Sequence, residues 1–170
     1  MKVKVKKFKK NAAIPYKTHD SDFCYDCVAI SEEEIAPNVW KYGLGIAFQI
    51  ERGLESISKG LVCHGGKVAE HHTKYDFNRS PIQLSIDARP RSSVWKTGMV
   101  LSNCEGTIDE QYIGEVSAVF YHVMPDMPRY RVGDRICQVK LGFTLPMEFE
   151  EVNELNDTER GSGSYGSTGK

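Results

Sequence analysis

The chain has 170 residues, 40% of them apolar and 26% charged, the balance of a globular domain long enough to bury its own core. Lysine plus arginine number 22 against 23 aspartate plus glutamate, for a formal net charge of −1, which argues against a basic domain that grips nucleic acid with its whole surface. There is no run of ~20 apolar residues to span a membrane, the basic amino end lacks the apolar stretch of a signal peptide, and five cysteines, an odd number, read as reduced thiols of a cytoplasmic protein.

Taken in chain order, Lys2-Val3-Lys4-Val5-Lys6 alternates with period two and predicts a strand with one wet face. Charge is uneven along the chain. Residues 1–10 hold six lysines, and residues 148–159 hold Glu148, Glu150, Glu151, Glu154, Asp157 and Glu159. Solvated ends are one reading; a trans pairing of the two ends in an oligomer is the sharper one. Residues 40–50 (WKYGLGIAFQI) predict a strand between Asn38 and Gly53. Residues 52–80 are polar, include Gly60, Gly65 and Gly66, and carry three of the five histidines. That is long for a connection, whose median is ~4–6 residues, so it reads as an inserted hairpin or a mobile arm. Strands are predicted over residues 82–86, 116–123 (ending at Pro125) and 136–143, and a short helical turn within residues 92–98. The last ten residues, GSGSYGSTGK, have the composition of a flexible tail. Many short strands separated by turn signals indicate a sandwich or barrel.

Four segments carry chemical possibilities. In residues 106–115 (GTIDEQYIGE), Asp109 and Tyr112 lie close enough to point into one cleft at a hairpin, where a carboxylate activates water and a ring shapes the floor; an Asp there also serves as a turn former. Around Pro90, Arg89, Arg91, Ser92 and Ser93 offer forked and short donors to phosphate, or form an ordinary basic loop. Gly133-Asp134 makes a turn before a strand that carries Gln138, a neutral donor. The tail combines Arg160, small backbones that can form an anion nest, and Tyr165, a ring able to stack on a base. The final GSTGK is not a P-loop, because Ser164 stands where that motif needs its first Gly and no helix follows. Cys24 and Cys27 have CxxC spacing without a second half, and Cys63, His64, His71 and His72 fit no standard pair, so a structural zinc site is disfavoured.

In order and spacing these segments resemble the five motifs of the trimeric dUTP pyrophosphatases, the dUTPase family. The first is residues 21–29 (SDFCYDCVA), the second residues 90–93 (PRSS), the third residues 106–115 preceded by Asn103, the fourth residues 133–138 (GDRICQ), and the fifth residues 160–169. The resemblance implies an all-β jelly roll over residues 1–159, with an insert at 52–80 and a Gly/Ser-rich lid at 160–170. It implies a homotrimer with shared active sites, and Mg²⁺-assisted hydrolysis of dUTP to dUMP and pyrophosphate. Asp109 matches the carboxylate that activates water. Tyr112 matches the ring beneath the deoxyribose, and Asn103 a position that reads uracil. Arg91, Ser92 and Gln138 match phosphate-side contacts, and Asp26 the contact to the metal's water shell. Arg160, Gly166, Ser167 and Thr168 match lid contacts to the terminal phosphate, and Tyr165 the aromatic stacked on uracil.

The match is imperfect in places. Cys24 and Cys27 replace the usual Gly and Leu of the first motif, Ser93 replaces the Gly of the second, and Ile113 stands where a polar residue is common. Residues 52–80 exceed the usual spacing, and some phage-encoded members carry extra segments that bind other proteins. A regulatory protein acting through that insert is therefore one alternative function. The related dCTP deaminases are another, disfavoured because Gly114-Glu115-Val116 follows the dUTPase pattern.

Overall fold

The computed structural model describes residues 1–52, 54–64, 67–76 and 81–163, those of 54–76 by their backbone alone. In chain order the strands are β1 (Lys2–Lys7), β2 (Tyr25–Val28), β3 (Ser31–Ala36), β4 (Val39–Gly43), β5 (Ile46–Glu51), β6 (Leu54–His64), β7 (Lys67–Asp76), β8 (Gln83–Pro90), β9 (Met99–Leu101), β10 (Gly106–Asp109), β11 (Ser117–His122) and β12 (Arg135–Thr144). A 3₁₀ turn, Ser92–Lys96, follows β8. Two four-stranded antiparallel sheets, ordered β10-β8-β12-β2 and β3-β4-β11-β9, share one core with the β1-β5 pair. This is the all-β jelly roll. No helix among the described residues is long and apolar enough to cross a membrane.

Alternation explains the sheets. Along β8, β12 and β2, the side chains of Ile86, Ala88, Cys137, Val139 and Cys27 point into the core, while those between them point outward. The predicted strand over residues 40–50 is two strands. Gly45 takes φ +65, and a Cβ there would meet Ala12 at 3.1 Å, so the chain turns between β4 and β5 at a conformation only Gly adopts cheaply. β5 then leaves its neighbour to pair with β1, from Lys2↔Glu51 to Lys7↔Ile46. Strands β2, β3, β9 and β10 lie outside the predicted ones; each is short or polar, and each is held by its neighbour's register rather than by its own pattern.

An aromatic triad closes the core. Tyr42 and Phe120 meet edge-to-face at 5.9 Å between centroids, and Phe120 and Tyr130 at 5.4 Å. Tyr42 is fully buried, and its hydroxyl donates to the Tyr130 carbonyl at 2.9 Å, which satisfies the polar tip of an otherwise apolar side chain. Within residues 52–80, β6 and β7 run antiparallel and, among the described residues, pair only with each other, with a register shift between Ser56 and Ser58.

Candidate active site

The outward face of the β10-β8-β12-β2 sheet is polar from edge to edge. Register places Asp26 on β2 opposite Gln138 on β12, and Gln138 opposite Arg89 on β8. Further along, Lys140 faces Asp87, Asp87 faces Thr107, and Ser85 faces Asp109 on β10. Lys140 Nζ donates to Asp87 at 2.6 Å and Ser85 Oγ donates to its other carboxylate oxygen at 2.8 Å. Burial pushes the Asp87 carboxyl up, but Lys140 and Ser85 outweigh it and hold the group below its ordinary range.

One corner of this face gathers cations around Asp26. The backbone of Asp26 is held on one side by β12 and on the other by Tyr16, with mutual N–H···O bonds of 2.7 and 3.2 Å. Its carboxylate is therefore fixed where two guanidinium groups converge. Arg91 Nε donates to Oδ1 at 2.8 Å and Nη2 to Oδ2 at 3.3 Å, while Arg135 Nη1 donates to Oδ2 at 2.9 Å. Two cations against one carboxylate leave an excess positive charge. Gln138 Nε2 is tied to the Pro90 carbonyl at 3.1 Å, which locks the amide beside the start of the 3₁₀ turn where Ser92 lies exposed. Ser93 accepts from Arg91 Nη1 at 3.3 Å, so its side chain braces the arginine. Thr18, His19, Cys24, Asp26, Ser92 and Gln138 are among the residues lining a cleft of about 480 Å³ here. A cleft with fixed, forked donors is suited to a polyphosphate.

A second cluster sits at the far corner. Asp109 ends β10 with its side chain exposed, and its carbonyl accepts the Tyr112 N–H at 3.0 Å. Tyr112 folds back so that its hydroxyl donates to the Glu115 carbonyl at 3.0 Å, and its ring covers Gly114, where a Cβ would lie 2.6 Å from the phenolic oxygen. A side chain at 114 would therefore displace the Tyr112 ring from this position. Asn103 stands in the turn before β10, where Cys104 takes φ 55; its amide nitrogen would lie 3.2 Å from a Cβ at Gly106. Arg89 pairs with Glu105 and fastens this turn to β8.

The sequence-predicted residues therefore fall into two groups. Asp26, Arg91, Ser92 and Gln138 come together; Asn103, Asp109 and Tyr112 do not join them. Three inter-strand steps of ~4.8 Å and four residues of ~3.3 Å separate Asp109 from Asp26, about 20 Å in all. Arg160 is exposed, and its Nε donates to the Gly163 carbonyl at 3.1 Å. Tyr165, Gly166, Ser167 and Thr168 lie outside the described residues. Arg135, within the fourth motif, joins the cluster without a motif signal of its own; its place beside Asp26 depends on the β12-β2 pairing and the register shift between Arg135 and Cys137. The four cysteines described, Cys24, Cys27, Cys104 and Cys137, are free thiols. The Cys27 thiol is raised well above its ordinary value by its hydrogen bond with Cys137 and by burial.

Residues 74–169 match the family model described as dUTPase. Over all of both chains the sequence is 32% identical to the deoxyuridine 5'-triphosphate nucleotidohydrolase of Nautilia profundicola. It is 31% identical to the enzyme of that name from Helicobacter pylori, over 99% of this chain and 97% of that one. Among solved structures, the dUTPase of Staphylococcus bacteriophage 80alpha with dUPNHPP superposes with a TM-score of 0.70 at 20% identity over 99% of each chain. A mutant dUTPase from phage phi11 of S. aureus, described as coordinating a structural Mg(II) ion, superposes with a TM-score of 0.61 at 16% identity, over 92% of this chain and 100% of that one.

Proposed function

The chain belongs to the dUTPase family, and from that membership we propose that it hydrolyses dUTP to dUMP and pyrophosphate with Asp109 activating the attacking water. The observation that carries the assignment of roles is the division of the polar sheet face into a cation-rich corner and a distant carboxylate. A general base must come within ~2.6–3.2 Å of the proton it takes. Asp109, about 20 Å from Asp26 along the same sheet, cannot reach a phosphate held by Arg91 of its own chain. The reading is therefore a site shared between subunits of a homotrimer. One chain supplies Arg91, Ser92 and Gln138 to the phosphates; another supplies Asn103 to uracil, Tyr112 to the deoxyribose face, and Asp109 to the water. The carboxyl-terminal stretch supports assembly: Phe143, Phe149 and Leu155 are 75%, 87% and 88% exposed in the single chain, an apolar series that favours burial against another copy.

Mg²⁺ is the proposed cofactor. Asp26 Oδ1 accepts one hydrogen bond, from Arg91 Nε, and a carboxylate oxygen has room for a second, so Asp26 fits a contact to metal-bound water. Among the described residues no group of three or more His, Cys, Asp or Glu could hold the ion by side chains, and the fit is to a hard cation carried mainly by phosphate oxygens and water. Once bound, the ion would draw charge from the phosphate oxygens during displacement. Residues 160–170 are proposed as a lid, with Arg160, Gly166, Ser167 and Thr168 on the terminal phosphate and Tyr165 on the base. A protein partner would dock on residues 52–80, whose strands, among the described residues, pair only with each other.

Turnover of dUTP, dCTP and UTP with Mg²⁺, read as pyrophosphate release, together with the mass in solution, tests the proposal. Release from dUTP alone by a trimer is expected. A fully active monomer would sink the shared site, and ammonia release from dCTP would replace hydrolysis with deamination.

A further inference from the structure

Asp109 makes no side-chain hydrogen bond or ion pair among the described residues. Its direction must come from its backbone, and the next residue fixes that backbone. Glu110 takes a two-pronged bond from Arg52, Nε to Oε1 at 2.6 Å and Nη2 to Oε2 at 2.5 Å. Arg52 Nη2 also donates to the Ile82 carbonyl at 3.0 Å. The Leu84 backbone bonds the same carboxylate, and the Arg52 fork is the main cause that holds the Glu110 acid below its ordinary range. Both side chains are roughly three-quarters covered, with exposures of 22% and 23%. Residue 52 follows β5 and residue 82 precedes β8, so one guanidinium joins the two roots of the β6-β7 arm to the peptide that carries Asp109.

We propose that Arg52 and Glu110 are the positioning pair of Asp109: the fork pins the end of β10 so that the neighbouring carboxylate faces the site at a fixed angle. The proposal rests on the reading of Asp109 as the water-activating base. Planarity matters, because only a guanidinium presents two parallel donors to a carboxylate. A lysine at 52 keeps the charge and loses the orientation. Small displacements of a reacting group are costly, on the order of 10²-fold for ~1 Å, while phosphate binding through the other corner is untouched.

The test uses the assembled full-length protein. Arg52→Gln, Glu110→Gln, the double variant and Arg52→Lys are compared with the parent for kcat, for KM, and for the Kd of a non-hydrolysable dUTP analogue. Expected is a drop in kcat of about 10- to 100-fold with the analogue Kd within about threefold. The double variant should be no worse than either single one, since the two residues act as a unit, and Arg52→Lys should recover little. Should Glu110→Gln fail to assemble, Arg52→Lys carries the same test, because it retains the ion pair. Asp109→Asn runs alongside. If it loses turnover while the Arg52 variants keep the parent kcat and merely melt earlier, the pair is structural and the positioning proposal falls alone. If Asp109→Asn itself turns over at the parent rate, the base reading falls and the positioning proposal with it.

Discussion

At the β2 corner of the polar sheet face, the charged groups hold one another. Asp26 is bonded through its backbone to Tyr16 and through its carboxylate to Arg91 and Arg135, and Gln138 and Ser93 are each tied to a neighbour. At the β10 corner, Asp109 projects from a strand end with an unpaired carboxylate among the described residues, and Tyr112 is 48% exposed. The difference reflects what each corner must do. Phosphates are recognised by charge and forked donors, which interior strands can preorganise within one chain. A base must keep free lone pairs and meet its water only when a second subunit closes the site. Order at one corner is intrinsic; at the other it is borrowed, from the Arg52 fork and from assembly.

The largest expected effect tests the freer corner. Asp109→Asn should keep analogue binding and lose turnover by ~10²–10⁴, measured by calorimetry beside steady-state kinetics. Turnover near the parent rate would erase the contrast by removing the base from that corner. Asp26→Ala tests the braced one. It leaves two guanidinium groups facing each other in a partly buried cleft, with Asp26 only 12% exposed. Breaking a buried pair from one side costs ~3–5 kcal/mol, and exposure of Arg135 at 38% puts the expected loss at the lower end, about 3 kcal/mol, by urea denaturation. A stability unchanged by this substitution would mean that the cluster is not preorganised.

A sharper test of the β10 corner is steric. Tyr112→Ala should narrow the preference for dUTP over UTP by about 1–3 kcal/mol, the cost of leaving a hydroxyl unpaired. Gly114→Ala should act in the same direction with the tyrosine still present, since its Cβ would overlap the phenol. Discrimination equal to the parent in both variants would release Tyr112 from the sugar.

Acid should separate the corners further. Glu110 is held low chiefly by the Arg52 fork, whereas burial pushes Asp87 up but is outweighed by Lys140 and Ser85. Each folded pKa lies below its unfolded value, so the stability contributed is complete above ~4, the unfolded range, and is lost as pH falls through the lower folded value. The urea midpoint should be flat above about pH 5 and decline below about pH 4. Glu110→Gln should flatten that decline, and an identical slope in the variant would mean the fork adds no acid sensitivity.

The smallest effect is expected from the arm. Replacing residues 54–76 with a short Gly-Ser turn, with Arg52 kept, should leave assembly and turnover close to the parent. Each doubling of loop length costs only ~0.6 kcal/mol. Loss of the trimer by solution mass would show that β6 and β7 build the subunit boundary instead.

Local chemistry made much of this protein legible in its sequence. Period-two alternation marked β1 and β8, because a strand with one buried face must alternate, a β-branched and aromatic run marked β11, and the order of five short motifs carried the family, the reaction and the candidate residues together. A glycine inside one apolar run hid the break between β4 and β5, since hydropathy does not report the sign of φ. Strands β2, β9 and β10 were too short for a pattern and exist through their partners. Only the tertiary structure could place Arg135 against Asp26, or join Arg52 to Glu110 across 58 positions, because register and loop closure set such contacts and no spacing in the chain encodes them. Only the sheet order shows that Asp26 and Asp109 stand at opposite corners of one face: sequence names which groups a site requires, and the distances between strands decide whether one chain can bring them together.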